Sequence, residues 1–373
     1  MQTTLKTPMF KVLRALGGLA MLATLAQSAF AADGDRNPNH FGMRNTVSFN
    51  IKTEFTSATP AAQIGVAPAF GAAGNANRFY DDGYVRTDAS GNAGGQTVFW
   101  GYQNLTQYTP FGGVPGAAGS TMAYHSAPSP ADGLTRRGKN EADPGFEVTY
   151  GRDLGSFTVW GGRRAHWGLS GTYAYTTIDR KDRGTVTGTV LQTTDTYTLP
   201  AGSIPLAPAL QNTITAVGPG GLLNVSGPTA GDIFTRTTAA AAATANLENK
   251  LRADLHGFKL GPFLDLPLSE TVGLSLGGGL MAVLVSQDYE YSHNLAVTGG
   301  ATSTRTGTGR KDEWLLGGSV YARLAWEFRP DWALTAGAEF QGAGRSLLTA
   351  GSQTASVSLS TVLTATLGLS YRF

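Results

Sequence analysis

The 373-residue chain contains no cysteine. That excludes disulfides, thiolate metal sites and a lipid-modified cysteine behind a leader. Charge is also scarce: Asp, Glu, Lys and Arg make up 14% of the residues, against about 25% in an average soluble domain. Beyond residue 31 there is no run of about 18 apolar residues, so no helical membrane span is predicted. The formal net charge of +2 points neither to nucleic acid nor to a basic membrane-surface helix. Low charge without long apolar runs fits poorly with a large soluble enzyme. It fits a β-barrel, whose apolar content is spread over alternate residues.

The N-terminus reads as an address. Lys6, Lys11 and Arg14 give a positive start, Leu13 to Ala26 is a short apolar run, and Ala29-Phe30-Ala31 is an A-x-A-like cleavage site. The pattern predicts a secretory signal peptide over residues 1–31, with residues 32–373 as one domain.

Alternation of period two, the mark of a strand with one apolar and one polar face, recurs along the chain. Met43, Val47, Phe49, Ile51 and Phe55 share one face, with Arg44, Lys52 and Glu54 on the other. Phe146, Val148 and Tyr150 alternate with Glu147, and Arg152 to Gly155 reads as a turn. Trp167 to Tyr175 is a further strand. At Leu251 to Leu266 the apolar parity switches near Gly257, which a β-bulge would explain. That register puts Arg252, Asp254 and His256 on the polar face. Val272 to Leu284, Trp314 to Phe328 and Trp332 to Phe340 complete the series before the C-terminal strand. Four segments read as loops: 56–140, 180–246, 287–311 and 342–355, the second with a possible short helix at Ala239 to Ala243. The first either is a long loop or hides two more strands.

The last strand, Val357 to Phe373, has the cleanest alternation. Val357, Leu359, Leu363, Ala365, Leu367, Leu369, Tyr371 and Phe373 line one face, and the chain ends on an aromatic residue. This ending, with the signal peptide and eight alternating segments, resembles bacterial outer-membrane β-barrels, in architecture the small OmpA-type and OmpW-type barrels. The resemblance implies an all-β, antiparallel up-and-down barrel of eight strands, with ten to twelve possible. It also implies the outer-membrane bilayer as environment, and Leu367, Leu369, Tyr371 and Phe373 as the signal read by the barrel-assembly machinery. Short turns and longer loops alternate, which places both termini in the periplasm.

In that register the residues facing the lumen are Arg44, Lys52, Glu54, Glu147, Arg252, Asp254, His256, Arg323, Glu327, Glu339 and Arg372. Arg323 and Glu327 are expected beside Glu339, with Arg323 opposite it. In an eight-stranded barrel such charges pair in a filled interior. Enzymatic chemistry finds no support: no Gly-x-Ser-x-Gly elbow is present, and only His256 among five histidines lies clearly on a strand. Asp81, Asp82 and Asp88 lack the spacing of a calcium loop. No cofactor, metal or nucleic acid is expected. A non-enzymatic barrel with a structural or surface-interaction role and a small porin for polar solutes or ions remain as the two readings.

Overall fold

The computed structural model describes residues 38–57, 78–85, 96–205, 222–225, 234–300 and 302–373. The expected signal peptide and parts of the first three expected loops lie outside the described residues.

Eight strands form the main structure: β1 Asn39–Phe49, β2 Asp143–Thr158, β3 Arg164–Thr198, β4 Thr235–Pro267, β5 Val272–Val297, β6 Thr302–Arg329, β7 Trp332–Gly342 and β8 Val362–Arg372. Each pairs antiparallel with its neighbour in sequence. β8 pairs back with β1, which closes the ring. The start of β1 and the end of the chain meet at one end of the ring, where the Phe373 amide donates to the Asn39 carbonyl at 3.0 Å. Three short connections lie at this end, after β2, β4 and β6. The remaining connections lie at the far end. Among the described residues of 56–140, Thr121–Ser126 pairs with the far end of β3 and Tyr108–Thr109 pairs with it in turn, but neither is inserted between neighbours of the ring.

In three of the expected loops the described residues are largely strand. Residues 185–196 pair with 235–246 without a register break, and Ala239 to Ala243 is strand, not helix. Likewise 287–297 and 302–311 form one continuous hairpin. β3, at 35 residues, follows a path of about 115 Å. The fourth loop, 342–355, holds most of a hairpin of Arg345–Ala350 and Gln353–Ser358. Its second strand pairs with Lys52–Ser57, which pairs with Thr135–Arg137. The turn read at Arg152 to Gly155 is a register shift inside β2. The chain reverses further on, at Val159–Arg163, where Gly161 and Gly162 have positive φ.

This four-stranded sheet continues the wall beyond a break. β1 stops at Asn50, a non-glycine residue with φ of 65°. Its carboxamide donates to the Thr361 carbonyl at 2.7 Å, at the matching break before β8. The left-handed residue reverses the parity. Phe49 points outward, while Ile51 and Phe55 are buried inside. Val357 and Leu359, expected on the same face as Leu363, are also buried inside, on the other side of the break before β8.

Along the axis the inside–outside polarity inverts. Near the termini the outer face is apolar and the interior polar. Leu280 is 80% exposed and Leu316 79%, part of a continuous apolar surface around the ring. Further out the interior is apolar: Ile51, Phe55, Ile178, Leu251, Leu255, Met281, Val285 and Leu348 form one cluster. A second cluster at the far end packs Trp100, Tyr102, Met122 and Tyr124 from the first insertion against Tyr197 and Leu199 of β3 and its exit.

Candidate functional site in the interior of the ring

Five charged side chains from five strands meet inside the apolar-walled half. Arg44 is on β1, Glu147 on β2, Lys259 on β4, Arg323 on β6 and Glu339 on β7. Each occupies the polar parity of its strand, so the alternation itself aims it inward. Glu147 is the hub. Its Oε1 accepts from Arg44 Nη1 at 3.1 Å and from Arg323 Nη2 at 2.9 Å. Its Oε2 lies 3.9 Å from Lys259 Nζ. Glu339 accepts from Lys259 and, at 3.3 Å, from Arg323. Both carboxylates are 1% exposed, and Arg323 is 4% exposed.

Neutral groups complete the cluster. Arg44 also donates to Thr335 at 3.1 Å and Thr149 at 3.0 Å. The Arg323 guanidinium lies 3.8 Å from the centroid of the Tyr321 ring. Room for these long side chains comes from glycine: a Cβ at Gly337 would meet the Ala322 carbonyl and the stem of Arg323. Three cations against two carboxylates leave one net positive charge, all of it taken from water. Such a cluster persists only because each charge is paired.

The space left is small. Between the charged cluster and the apolar cluster lies a cavity of about 40 Å³, bounded below by Glu147, Lys259 and Thr364 and above by Leu255, Met281 and Val362. That is room for about three water molecules. A smaller void of about 10 Å³ lies beside Lys259, Tyr321 and Arg323. Above them stand the buried residues of the apolar cluster. The interior can therefore hold charge, but the described side chains leave no wide path along the axis.

Several expected lumenal residues lie elsewhere. Lys52 and Glu54 are on the outer face, because Asn50 reverses the parity ahead of them. Arg252, Asp254 and His256 are also outside. No bulge interrupts β4, and the odd-numbered residues face inward from Leu251 through Lys259. Tyr175 donates to Asp254 at 2.8 Å, and the Tyr173 hydroxyl is 2.9 Å from His256 Nδ1. Glu327 is not beside Glu339. It lies exposed at the terminal rim, 3.1 Å from Arg372, which also reaches Asp265 at 3.1 Å. Arg323 pairs in register with Gly337, and Tyr321 with Glu339. A register shift near Phe328 displaces the hairpin, and the long guanidinium reaches Glu339 diagonally. Lys259 was missed, although the alternation Phe258-Lys259-Leu260 carried its signal.

A second polar network sits in the far half. Asn249 Oδ1 accepts from the Tyr289 hydroxyl at 2.8 Å and lies 3.2 Å from His293 Nε2. Burial, and then the nearby Arg305, pushes the His293 imidazole down to about 4. The neutral ring carries its proton on Nε2, since Oδ1 can only accept. Among the described residues no His, Asp and Glu group could hold a metal ion.

No protein-family model matches the chain, and no curated protein does. Among solved structures, the chain is similar to the attachment invasion locus protein Ail of Yersinia pestis in complex with the heparin analogue sucrose octasulfate, at 10% identity and a TM-score of 0.25, over 90% of this chain and 99% of that one. It is similar to the outer membrane protease OmpT from Escherichia coli, at 9% identity and 0.29, over 92% and 99%. It is also similar to the transport unit of the autotransporter AIDA-I from Escherichia coli, at 12% and 0.20, over 96% and 98%. The chain's own geometry carries the assignment of architecture. A closed antiparallel ring, apolar outside and charged within, is the architecture of an outer-membrane β-barrel.

Proposed function

We propose that this protein is a closed, non-enzymatic outer-membrane barrel whose working part is the β-structure rising beyond the membrane, serving contact at the cell surface. The apolar surface supports the membrane placement. Between Trp314 and Trp326 on β6 the chain climbs about 40 Å, or about 28 Å at a tilt of about 45°, close to the apolar band of about 25 Å in such barrels. Aromatic groups mark both ends of this band. Tyr175, His256, Phe258 and Trp314 cluster at one, and Trp326, Phe328, Trp332 and Tyr371 at the other. Interfacial girdles sit at these levels.

The observation that carries the reading is the double closure of the interior, first by the charged cluster and then by the apolar one. A small porin would need a continuous wet path through both. Purified protein in planar bilayers is expected to show no steady conductance. A large, reproducible single-channel step would overturn the closed barrel in favour of the porin.

In this reading the termini are periplasmic and the far half extracellular. Protease added to intact cells should cut within 56–140 or at the tips beyond residue 198, and spare the turn at 267–271. Residues 1–31 act as the signal peptide, so the mature chain should begin at residue 32. Leu367, Leu369, Tyr371 and Phe373 act as the assembly signal. Removing Phe373 should lower the assembled fraction in cells more than the stability of refolded protein.

A further inference from the structure

The parity reversal at Asn50 puts Lys52 on the outside, and the pairing register gives it company. Arg345 lies opposite Ser358, and Ser358 lies opposite Lys52. The three positions form one row across three strands, with Ser358 between two cationic positions whose backbones are about 10 Å apart at two strand spacings. The Ser358 hydroxyl lies 3.1 Å from that of Ser360, and Arg345 also donates to Ser356 at 2.7 Å. In the next row Arg137 lies opposite Glu54. Glu54 is the one acid of the group. Arg345 donates to it at 2.8 Å, and Arg137 approaches it at 3.4 Å. Arg137 is 84% exposed along its side chain. Three cations against one carboxylate leave a net charge of +2, and the Arg345 side chain is 46% exposed.

The level of this cluster matters as much as its charge. Directly below it the outward positions are Phe49, Phe340 and Leu363, all exposed and apolar. The cations therefore stand at the step where the apolar belt ends. The opposite sector differs: there Asp179, Arg252, Asp288 and Arg310 alternate in sign across β3 to β6, which leaves no net charge. One side of the barrel alone is basic at this height.

We propose that Lys52, Ser358 and Arg345, backed by Arg137, form an external site for the phosphate group of a lipid headgroup in the surrounding leaflet. The inference rests on the membrane placement given above. Two cations flanking a hydroxyl suit a tetrahedral oxyanion, with the hydroxyl donating to one oxygen and the guanidinium to others. The apolar positions beneath suit the acyl chains of the same molecule. Basic groups beside a membrane attract anionic lipid with about a fivefold gain in affinity for each.

The test is native mass spectrometry of the folded, mature-length protein titrated separately with phosphatidic acid, phosphatidylcholine and inorganic phosphate. The wild type should prefer phosphatidic acid over phosphatidylcholine. Lys52→Gln and Arg137→Gln should each lower that preference about fivefold, with the melting of the barrel unchanged, and Lys181→Gln in the opposite sector should leave it intact. Equal preference in all variants would overturn the site. Competition by inorganic phosphate as effective as that by phosphatidic acid would overturn the lipid assignment, because the acyl chains would then contribute nothing. Flotation with phosphatidylcholine vesicles separates the two levels of the argument. Protein that fails to float refutes the membrane placement, whereas protein that floats without phosphate preference refutes this site alone.

Discussion

Removing Glu147 tests the interior most directly. Its carboxylate touches all three cations of the cluster, and Oε1 alone accepts from two guanidinium groups at 3.1 and 2.9 Å. A hydrogen bond to a charged group contributes about 1.5–3 kcal/mol, so the two together reach about 3–6 kcal/mol. The cost of leaving buried charge unpaired is about 3–5 kcal/mol, and the two estimates agree. Glu147→Ala leaves Arg44, Arg323 and Lys259 with Glu339 alone, and a net charge of +2 in place of +1. We expect a loss of about 4 kcal/mol. Glu147→Gln keeps an oxygen to accept one of the bonds and should lose about half of that. Lys259→Met removes the surplus positive charge, and Glu339 keeps Arg323 as its partner, so its cost should be near 1 kcal/mol. The assay is reversible urea unfolding in lipid vesicles, with a common m-value across the series. If Lys259→Met costs more than Glu147→Ala, or if Glu147→Ala falls within 1 kcal/mol of wild type, the cluster is solvated and the closed interior is wrong.

Other consequences can be checked alongside. Arg323→Ala should cost about 3 kcal/mol, since Glu147 keeps Arg44 and Glu339 keeps Lys259; an effect under 1 kcal/mol would show that neither carboxylate depends on it. Gly337→Ala would press a methyl group on the Ala322 carbonyl and the Arg323 stem and should cost about 1–3 kcal/mol, read as a lower urea midpoint. Leu251→Ala, in the apolar cluster, should cost about 2–5 kcal/mol and still produce no conductance in planar bilayers, because the charged cluster remains closed. His293 titrates at about 4 when folded and at about 6.5 when unfolded. Its neutral form therefore supports the fold fully above pH 6.5, and that support is lost as pH falls toward 4. The loss from pH 7 to 4.5 should be about 2–3 kcal/mol, measured as the difference in unfolding free energy. His293→Gln should reduce that slope, and an unchanged slope would refute the assignment.

The sequence was most readable where each strand crosses the apolar belt. There the lipid-type rule holds, with apolar residues out and polar ones in. It placed Arg44, Glu147, Arg323 and Glu339 on the polar parity from alternation alone. Leu363, Leu367, Leu369 and Tyr371 of β8 are outward and exposed as their spacing implied. Period-two patterning fixes which residues share a face. It does not say which face is inside.

That gap explains the misplaced residues. In β4 the apolar set changes parity at Gly257, and two physical histories can produce such a change. The backbone can insert a residue while the environment stays the same, or the backbone can run straight while the environment inverts. The bulge expected in β4 is the first kind, whereas the second operates there: Leu251 and Leu255 are apolar because they pack inside, beyond the level at which the outside turns polar. At β1 the opposite history applies. The alternation continues unbroken through Phe49 and Ile51, which suggests one straight strand, yet Asn50 reverses the backbone so that Ile51 enters the interior. Both routes lead to one outcome, an apolar interior under a polar exterior in the far half. A strand that leaves a membrane passes from one solvent to another, and its alternation must change phase or its backbone must turn. Period and phase together therefore locate the boundary, and at this boundary Arg252, Asp254 and His256 turn outward through a change of solvent, while Lys52 and Glu54 do so through a turn of the chain.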